Sequence, residues 1–178
     1  MKIVVFASGR GSNFKAIVEN IESGALTNVE VSLLLSNKPE ANVLAYAAEK
    51  GIPHVCVDEK QFASREAYEE AVLAEVKKVR CNLVVLAGYM KILGADFLAN
   101  VGCPVVNIHP SLLPSFPGLH AQKQAVDYGV KVSGCTVHFV DAELDHGPII
   151  AQVPVPVEDG DDEDSLSARI LVQEHKIY

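Results

Sequence analysis

The chain alternates short, β-branched apolar runs with helical stretches, and this alternation restricts its fold more than any other feature. Lys2–Ala7, Val29–Leu35, Pro53–Val57, Leu83–Ala87 and Val105–Ile108 read as strands. Helical segments lie between them. One starts at Ser12 or Asn13 and runs to about Ser23, where Gly24 stops it. A second covers Asn42–Lys50 and ends at Gly51. A third is capped by Ser64 and reaches about Val79. Strands separated by helices pair in parallel through right-handed crossovers.

After His109 the pattern changes. Pro110, Pro114, Pro117 and Gly118 make a rigid loop, and a short helix follows near His120–Tyr128. Val132–Val140 and Pro148–Val157 read as two extended runs joined by an Asp-Gly-rich connection. The expected fold is an open, mostly parallel, Rossmann-like α/β sheet with helices on both faces and an antiparallel addition near the C-terminus. Ser165–Tyr178 begins a helix. Its apolar face, Leu166, Ile170 and Ile177, persists to the last residues with no C-cap. The expectation is one domain over residues 1–178, lacking the end of its C-terminal helix and tail.

Charge narrows the partners. Fifteen Lys and Arg face 23 Asp and Glu, for a net charge of −8 over 178 residues. That balance argues against a general nucleic-acid binder, which needs clustered cations. Six of the acids lie in the stretch Glu158–Asp164, which reads as a solvated loop. Without them 17 acidic residues face 15 basic ones, a net of −2. The total therefore does not exclude an anionic small molecule. Hydrophobic residues make up 49%, enough for a core. No apolar run approaches the roughly 18 residues of a membrane helix, and the N-terminus does not read as a signal peptide. Cys56, Cys81, Cys103 and Cys135 have no zinc spacing and read as free, mostly buried thiols of a cytoplasmic protein.

Three segments carry candidate chemistry. Ser8-Gly9-Arg10-Gly11-Ser12-Asn13 lies between a strand and a helix, where glycine allows close approach and the helix start suits a phosphate. Phe14 stands where a dinucleotide fingerprint needs its third glycine. The second strand ends in Ser36-Asn37-Lys38 rather than in an acid. Both departures favour a single phosphate, and a tight turn without a ligand reads the same way. Asn107 and His109 are two apart in a strand and so share a face at the carboxyl end of the sheet. An amide beside an imidazole suits acyl transfer, and equally suits a pair that satisfies loop backbone. Asp145 is the best candidate to orient a histidine, although Asp before a glycine-containing turn is also a turn former. Met90, Ile92 and Leu93 can wall a slot for a flat aromatic ligand or simply be core. His138 reads as structural. His54, His146 and His175 have no nameable partner, and His120 borders the proline loop.

These segments together resemble the folate-dependent formyltransferases. The resemblance rests on Gly-Arg-Gly-Ser-Asn at 9–13, Ser-Asn-Lys at 36–38 and Ser-Arg-Glu-Ala-Tyr at 64–68. It also rests on Ala-Gly-Tyr-Met-Lys-Ile-Leu at 87–93 and Asn-Ile-His-Pro-Ser-Leu-Leu-Pro at 107–114. Phe-Pro-Gly-Leu-His at 116–120, Glu-Leu-Asp-His-Gly-Pro at 143–148 and Gln-Glu-His-Lys-Ile-Tyr at 173–178 extend it over the whole chain. The resemblance implies formyl transfer from 10-formyltetrahydrofolate to the amino group of 5′-phosphoribosylglycinamide. It implies catalytic roles for Asn107, His109 and Asp145, and a phosphate cradle at Gly11, Ser12 and Asn13. Folate contacts are implied at Arg65, Met90, Lys91, Ile92, Leu93 and Asn107, and an acceptor contact at Glu174. It further implies a cis peptide at Leu113–Pro114, no metal, and a cytoplasmic monomer or weak homodimer with small-molecule substrates. His146 departs from the family, where glycine is expected.

Alternatives share parts of this pattern. A formyltetrahydrofolate deformylase uses the same trio with water as acceptor, and usually carries an extra N-terminal domain. A methionyl-tRNA formyltransferase usually carries a basic C-terminal domain. A nucleotide-binding module without catalysis needs none of the trio. A metal hydrolase built on His109, Asp145 and His146 lacks compact ligand spacing.

Overall fold

The apolar runs form strands because their β-branched residues are buried on both faces, as a parallel sheet requires. A computed structural model describes all residues, 1–178, and gives seven strands: β1 (Lys2–Phe6), β2 (Glu30–Ser36), β3 (His54–Cys56), β4 (Leu83–Leu86), β5 (Val105–His109), β6 (Val132–Phe139) and β7 (Ile149–Pro156). Six helices intervene: α1 (Ser12–Glu22), α2 (Asn42–Glu49), α3 (Arg65–Val79), α4 (Ala95–Asn100), α5 (Ala121–Tyr128) and α6 (Glu163–Ile177). The strand order is β3-β2-β1-β4-β5-β6-β7, a mixed and mostly parallel sheet whose last pair, β6 and β7, is antiparallel. Residues group into two compact units, Met1–Val106 and Asn107–Tyr178, within the span expected to be one domain.

In the first unit β1 pairs in parallel with β2 on one side and β4 on the other. Val4, Val5 and Phe6 are wholly buried, as are Leu34 and Leu35 of β2. Phe6 meets Tyr89 and Phe97 edge-on, with ring centroids 5.1 and 6.2 Å apart. Phe97 belongs to α4, which the sequence pattern did not single out. Six residues are too few to display a helical period, and the segment packs through that one buried ring. Burial of the thiols differs from expectation: only Cys135 is buried, while Cys56, Cys81 and Cys103 are half-buried.

In the second unit α5 and α6 pack with β6 and β7 around Ile108, Ala125, Cys135, Val137, Val155, Leu166 and Ile170. The proline loop after β5 is pinned to the hairpin. Thr136 Oγ1 donates to Ser111 O (2.7 Å) and accepts from Leu113 N–H (3.1 Å), and Gln152 Nε2 donates to Leu113 O (2.9 Å). The Leu113–Pro114 peptide is cis.

The acidic stretch is more than a solvated loop. α6 starts two residues earlier than expected, and Asp162 caps it in a reciprocal box with Ser165. Glu163 and Asp164 occupy its first turn, where the helix dipole favours anions. Asp161 accepts both guanidinium nitrogens of Arg169, at 2.6 and 3.0 Å, and Arg169 also donates to Pro156 O (2.9 Å). This bidentate pair holds the Asp161 carboxyl well below the usual carboxylate range. A depressed carboxyl contributes stability that is present above its unfolded value, about pH 4, and lost as pH falls further. Arg169→Met is expected to lower Tm by roughly 2–4 °C at neutral pH. Thermal melts at stepped pH should show the gap to wild type closing below about pH 4.

Candidate active site

Three strand ends of the first unit are tied together by one hydroxyl. Ser8, just after β1, donates from Oγ to Asn37 Oδ1 at the end of β2 (2.6 Å) and accepts the Met90 N–H beyond β4 (2.9 Å). Ser8 N–H also donates to Gly88 O (3.1 Å). Connections leave β1 and β4 at the point where the strand order reverses, which is where open α/β sheets bind ligands. Asn37 is almost fully buried, and its Nδ2 has no hydrogen-bond partner within the protein.

Gly11 is the residue before α1. It adopts φ +73°, in the left-handed region, and offers no side-chain cap. α1 also has no acidic residue in its first turn, whereas α3 and α6 are capped by Ser64 and Asp162 and begin with acids. The positive end of α1 is thus left without a protein anion, the arrangement a phosphate complements. Ser12 and Asn13 supply the following N–H positions. No other residue fits at Gly11, because a Cβ would lie 2.3 Å from Val43 Cγ2.

The first unit also holds an open cavity of about 590 Å³ lined by Phe62, Arg65, Tyr68, Met90, Lys91 and Ile92, among others. Met90 and Ile92 are 59% and 56% exposed, so two apolar side chains face solvent at its wall. Leu93 is buried beneath rather than lining it. Arg65 is oriented by Glu69 (Nε to Oε1, 2.7 Å) and by Ile92 O (Nη2, 3.0 Å), and Lys91 pairs with Glu59. Tyr68 and Tyr89 share a hydrogen bond, and burial pushes the Tyr68 hydroxyl up to about 12. The cavity therefore combines apolar walls with cations, which suits a ligand with an aromatic body and an anionic end.

The second unit brings Asn107, His109 and Asp145 together. Asn107 and His109 lie on β5, and Asp145 follows β6 in a connection pinned by Gly147, whose Cβ would fall 1.9 Å from Phe139 O. His109 is buried, with Nδ1 3.4 Å from Asp145 Oδ2 and Nε2 2.9 Å from Phe116 O. Asp145 Oδ2 accepts the Gly118 N–H at 2.8 Å. Asn107 Nδ2 lies 3.2 Å from His138 Nε2, and His138 Nδ1 lies 2.9 Å from Phe139 O. Burial lowers the His138 value, favouring the neutral ring. Its Nδ1–H then donates to the carbonyl and its Nε2 accepts from the Asn107 amide. His138, read from sequence as structural, is thus a partner of Asn107. Its alternation on β6 carried no sign of this, because the partner lies on another strand.

The remaining candidates are placed as follows. Glu174 is buried on α6, close enough to raise the Cys135 thiol alongside that thiol's own burial. His146 pairs with Asp141 (Nδ1 to Oδ2, 2.9 Å), which raises its value, and has Glu143 nearby. His120 pairs with Glu163 and His54 with Ile52 O. No group of three or more His, Cys, Asp or Glu side chains is arranged to hold a metal, and no helix is long and apolar enough to cross a membrane. The α1 cradle is tested by Gly11→Ala, which combines a strained φ with the Val43 contact. It is expected to cost about 1–2 kcal/mol from backbone strain alone, and to abolish protection of the fold by inorganic phosphate in thermal melts.

Comparison with known proteins identifies the family. A formyl transferase family model matches residues 1–178. The chain is 43% identical to phosphoribosylglycinamide formyltransferase of Escherichia coli (strain K12), over 100% of this chain and 84% of that protein. It is 46% identical to the trifunctional purine biosynthetic protein adenosine-3 of Drosophila melanogaster over 98% of this chain, and spans only 13% of that protein's length. A crystal structure of glycinamide ribonucleotide transformylase 1 from Symbiobacterium toebii superposes with a TM-score of 0.96 at 42% identity, covering 100% of this chain and 84% of that one. On a full-length family match, with relatives above 40% identity, the chain belongs to the formyl transferase family.

Proposed function

We propose that this protein transfers the formyl group of 10-formyltetrahydrofolate to the amino group of 5′-phosphoribosylglycinamide in purine (IMP) biosynthesis. The products are phosphoribosyl-N-formylglycinamide and tetrahydrofolate. One observation carries the reading: a buried histidine with a carboxylate 3.4 Å from Nδ1, on the same strand face as an amide donor. The names of the relatives support the substrates, and the apolar, cationic cavity fits a folate.

The residues divide the work by chemistry. Gly11, Ser12 and Asn13 hold the acceptor's phosphate at the start of α1 through backbone N–H groups. Met90, Lys91 and Ile92 seat the folate ring with the buried Leu93 following them, and Arg65 meets its carboxylates as a planar, permanent cation. Glu174 serves the acceptor. Asn107 donates a hydrogen bond to the oxygen on which charge develops during attack by the amine. Because His138 accepts one amide hydrogen of Asn107, the amide is held in one orientation and its other hydrogen is aimed. Asp145, 3.4 Å from Nδ1, orients the His109 ring, which moves a proton between the attacking and leaving nitrogens. The substrates are small molecules. The reading entails no metal, nucleic acid or membrane, and a cytoplasmic monomer or weak homodimer.

Incubation with 10-formyltetrahydrofolate, with and without phosphoribosylglycinamide, tests the assignment. Formyl consumption only when the amine is present is expected. Equal consumption without the amine identifies a deformylase, and none in either case leaves a binding module. Asn107→Ala and His109→Ala are each expected to cut kcat by roughly 10²-fold or more. Asp145→Asn is expected to lower kcat and alter the pH–rate profile, because it removes the negative charge 3.4 Å from His109 Nδ1. A profile unchanged in height and shape counts against that role.

A further inference from the structure

The catalytic pair is braced by backbone from a single tripeptide, Phe116-Pro117-Gly118. The Phe116 carbonyl meets His109 Nε2 at 2.9 Å, and the Gly118 N–H meets Asp145 Oδ2 at 2.8 Å. One segment thus supplies the acceptor for the imidazole and the donor for the carboxylate, with a proline between them to restrict the spacing. Side chains fix the carbonyls on either side. Ser111 Oγ donates to Ser115 O (2.5 Å), and Gln124 Nε2 donates to Pro117 O (3.1 Å) and Leu119 O (3.0 Å).

Phe116 adopts φ +54°, a left-handed conformation that a residue with a bulky side chain avoids. Its ring accounts for the conformation. The ring packs against the core of the second unit and meets Tyr128 edge-on, with centroids 6.0 Å apart at 62°. It also lines an apolar groove of about 360 Å³ with Leu112, Tyr128 and Val130. Packing of the ring therefore offsets the unfavourable φ, and that φ directs the carbonyl at His109.

We infer that Phe116 is a positioning residue for the formyl-transfer reaction: its anchored ring aims its carbonyl at His109 Nε2, so that Nδ1 is the working nitrogen facing Asp145. The inference rests on the assignment of His109 and Asp145 made above. With Nε2–H committed to the carbonyl, a neutral ring presents a Nδ1 lone pair to a carboxylate oxygen 3.4 Å away. Carbonyl and carboxylate together thus hold the ring in one orientation, with Nε2 on the backbone and Nδ1 towards the carboxylate.

Three substitutions separate positioning from packing: Phe116→Ala, Phe116→Gly and Phe116→Asn. All remove the ring, but glycine and asparagine tolerate positive φ and alanine does not. Proton NMR of the ligand-free protein reads the His109 Nε2–H, which is expected as an exchange-protected downfield signal in wild type. Phe116→Ala is expected to lose that signal and about tenfold or more of kcat, with KM nearly unchanged. Phe116→Gly and Phe116→Asn are expected to keep the signal and more of kcat than alanine does. Packing alone ranks alanine at or above glycine, and that order overturns the inference. Should Phe116→Ala not fold, Gly118→Ala probes the other arm. Its Cβ meets only Leu144 Cδ2 at 3.9 Å, while its φ is +80°. A kcat loss of about tenfold is expected there, and wild-type kcat overturns the inference. The NMR signal needs no substrate. The bracket therefore stands if the signal follows the predicted order in a protein that transfers no formyl group. It fails if the protein transfers formyl and the signal ignores the substitutions.

Discussion

Parallel pairing of β1 with both β2 and β4 is the constraint from which the first unit's candidate site follows. Parallel strands run the same way, so their carboxyl ends gather at one edge. Three chain segments leave that edge together, and Ser8 joins them through its hydroxyl. The pairing also obliges each connection to carry a helix, which brings the uncapped start of α1 to the strand it follows. The candidate site of the second unit depends on a different device. There a strand end carries Asn107 and His109, and an antiparallel hairpin supplies His138 and the approach to Asp145.

What the sequence revealed is what periodicity and special residues report. Alternation of apolar runs with helices is a property of neighbours along the chain, so the parallel sheet was readable. The glycine at position 11 was readable because few residues adopt its φ. The Asn107–His109 pair was readable because residues two apart in a strand share a face. Asp145 stood out as the best candidate to orient a histidine, but a turn former reads the same way, and the family resemblance was what favoured the catalytic role.

What stayed hidden belongs to tertiary contact. The Phe116 carbonyl and Gly118 N–H are backbone groups, present at almost every residue, so no residue type announces them. His138 looked structural because its partner is 31 positions away on another strand. The acidic stretch looked like solvated charge because the partner of Asp161 is a guanidinium inside the following helix. α4 was missed because it holds too few residues to show a period. In each case the partner, rather than the residue, decides the role.

The uncapped start of α1 also bears on how this protein tolerates change. A cradle made of peptide N–H groups keeps its donors whichever side chains other than proline occupy positions 12 and 13. Sequence drift there alters the surroundings of the helix start without removing the N–H groups it offers to an anion. Gly11 is the exception, since its φ and the Val43 contact leave no room for a Cβ. Recognition by such a cradle is written in chain geometry, and one position guards it against mutation.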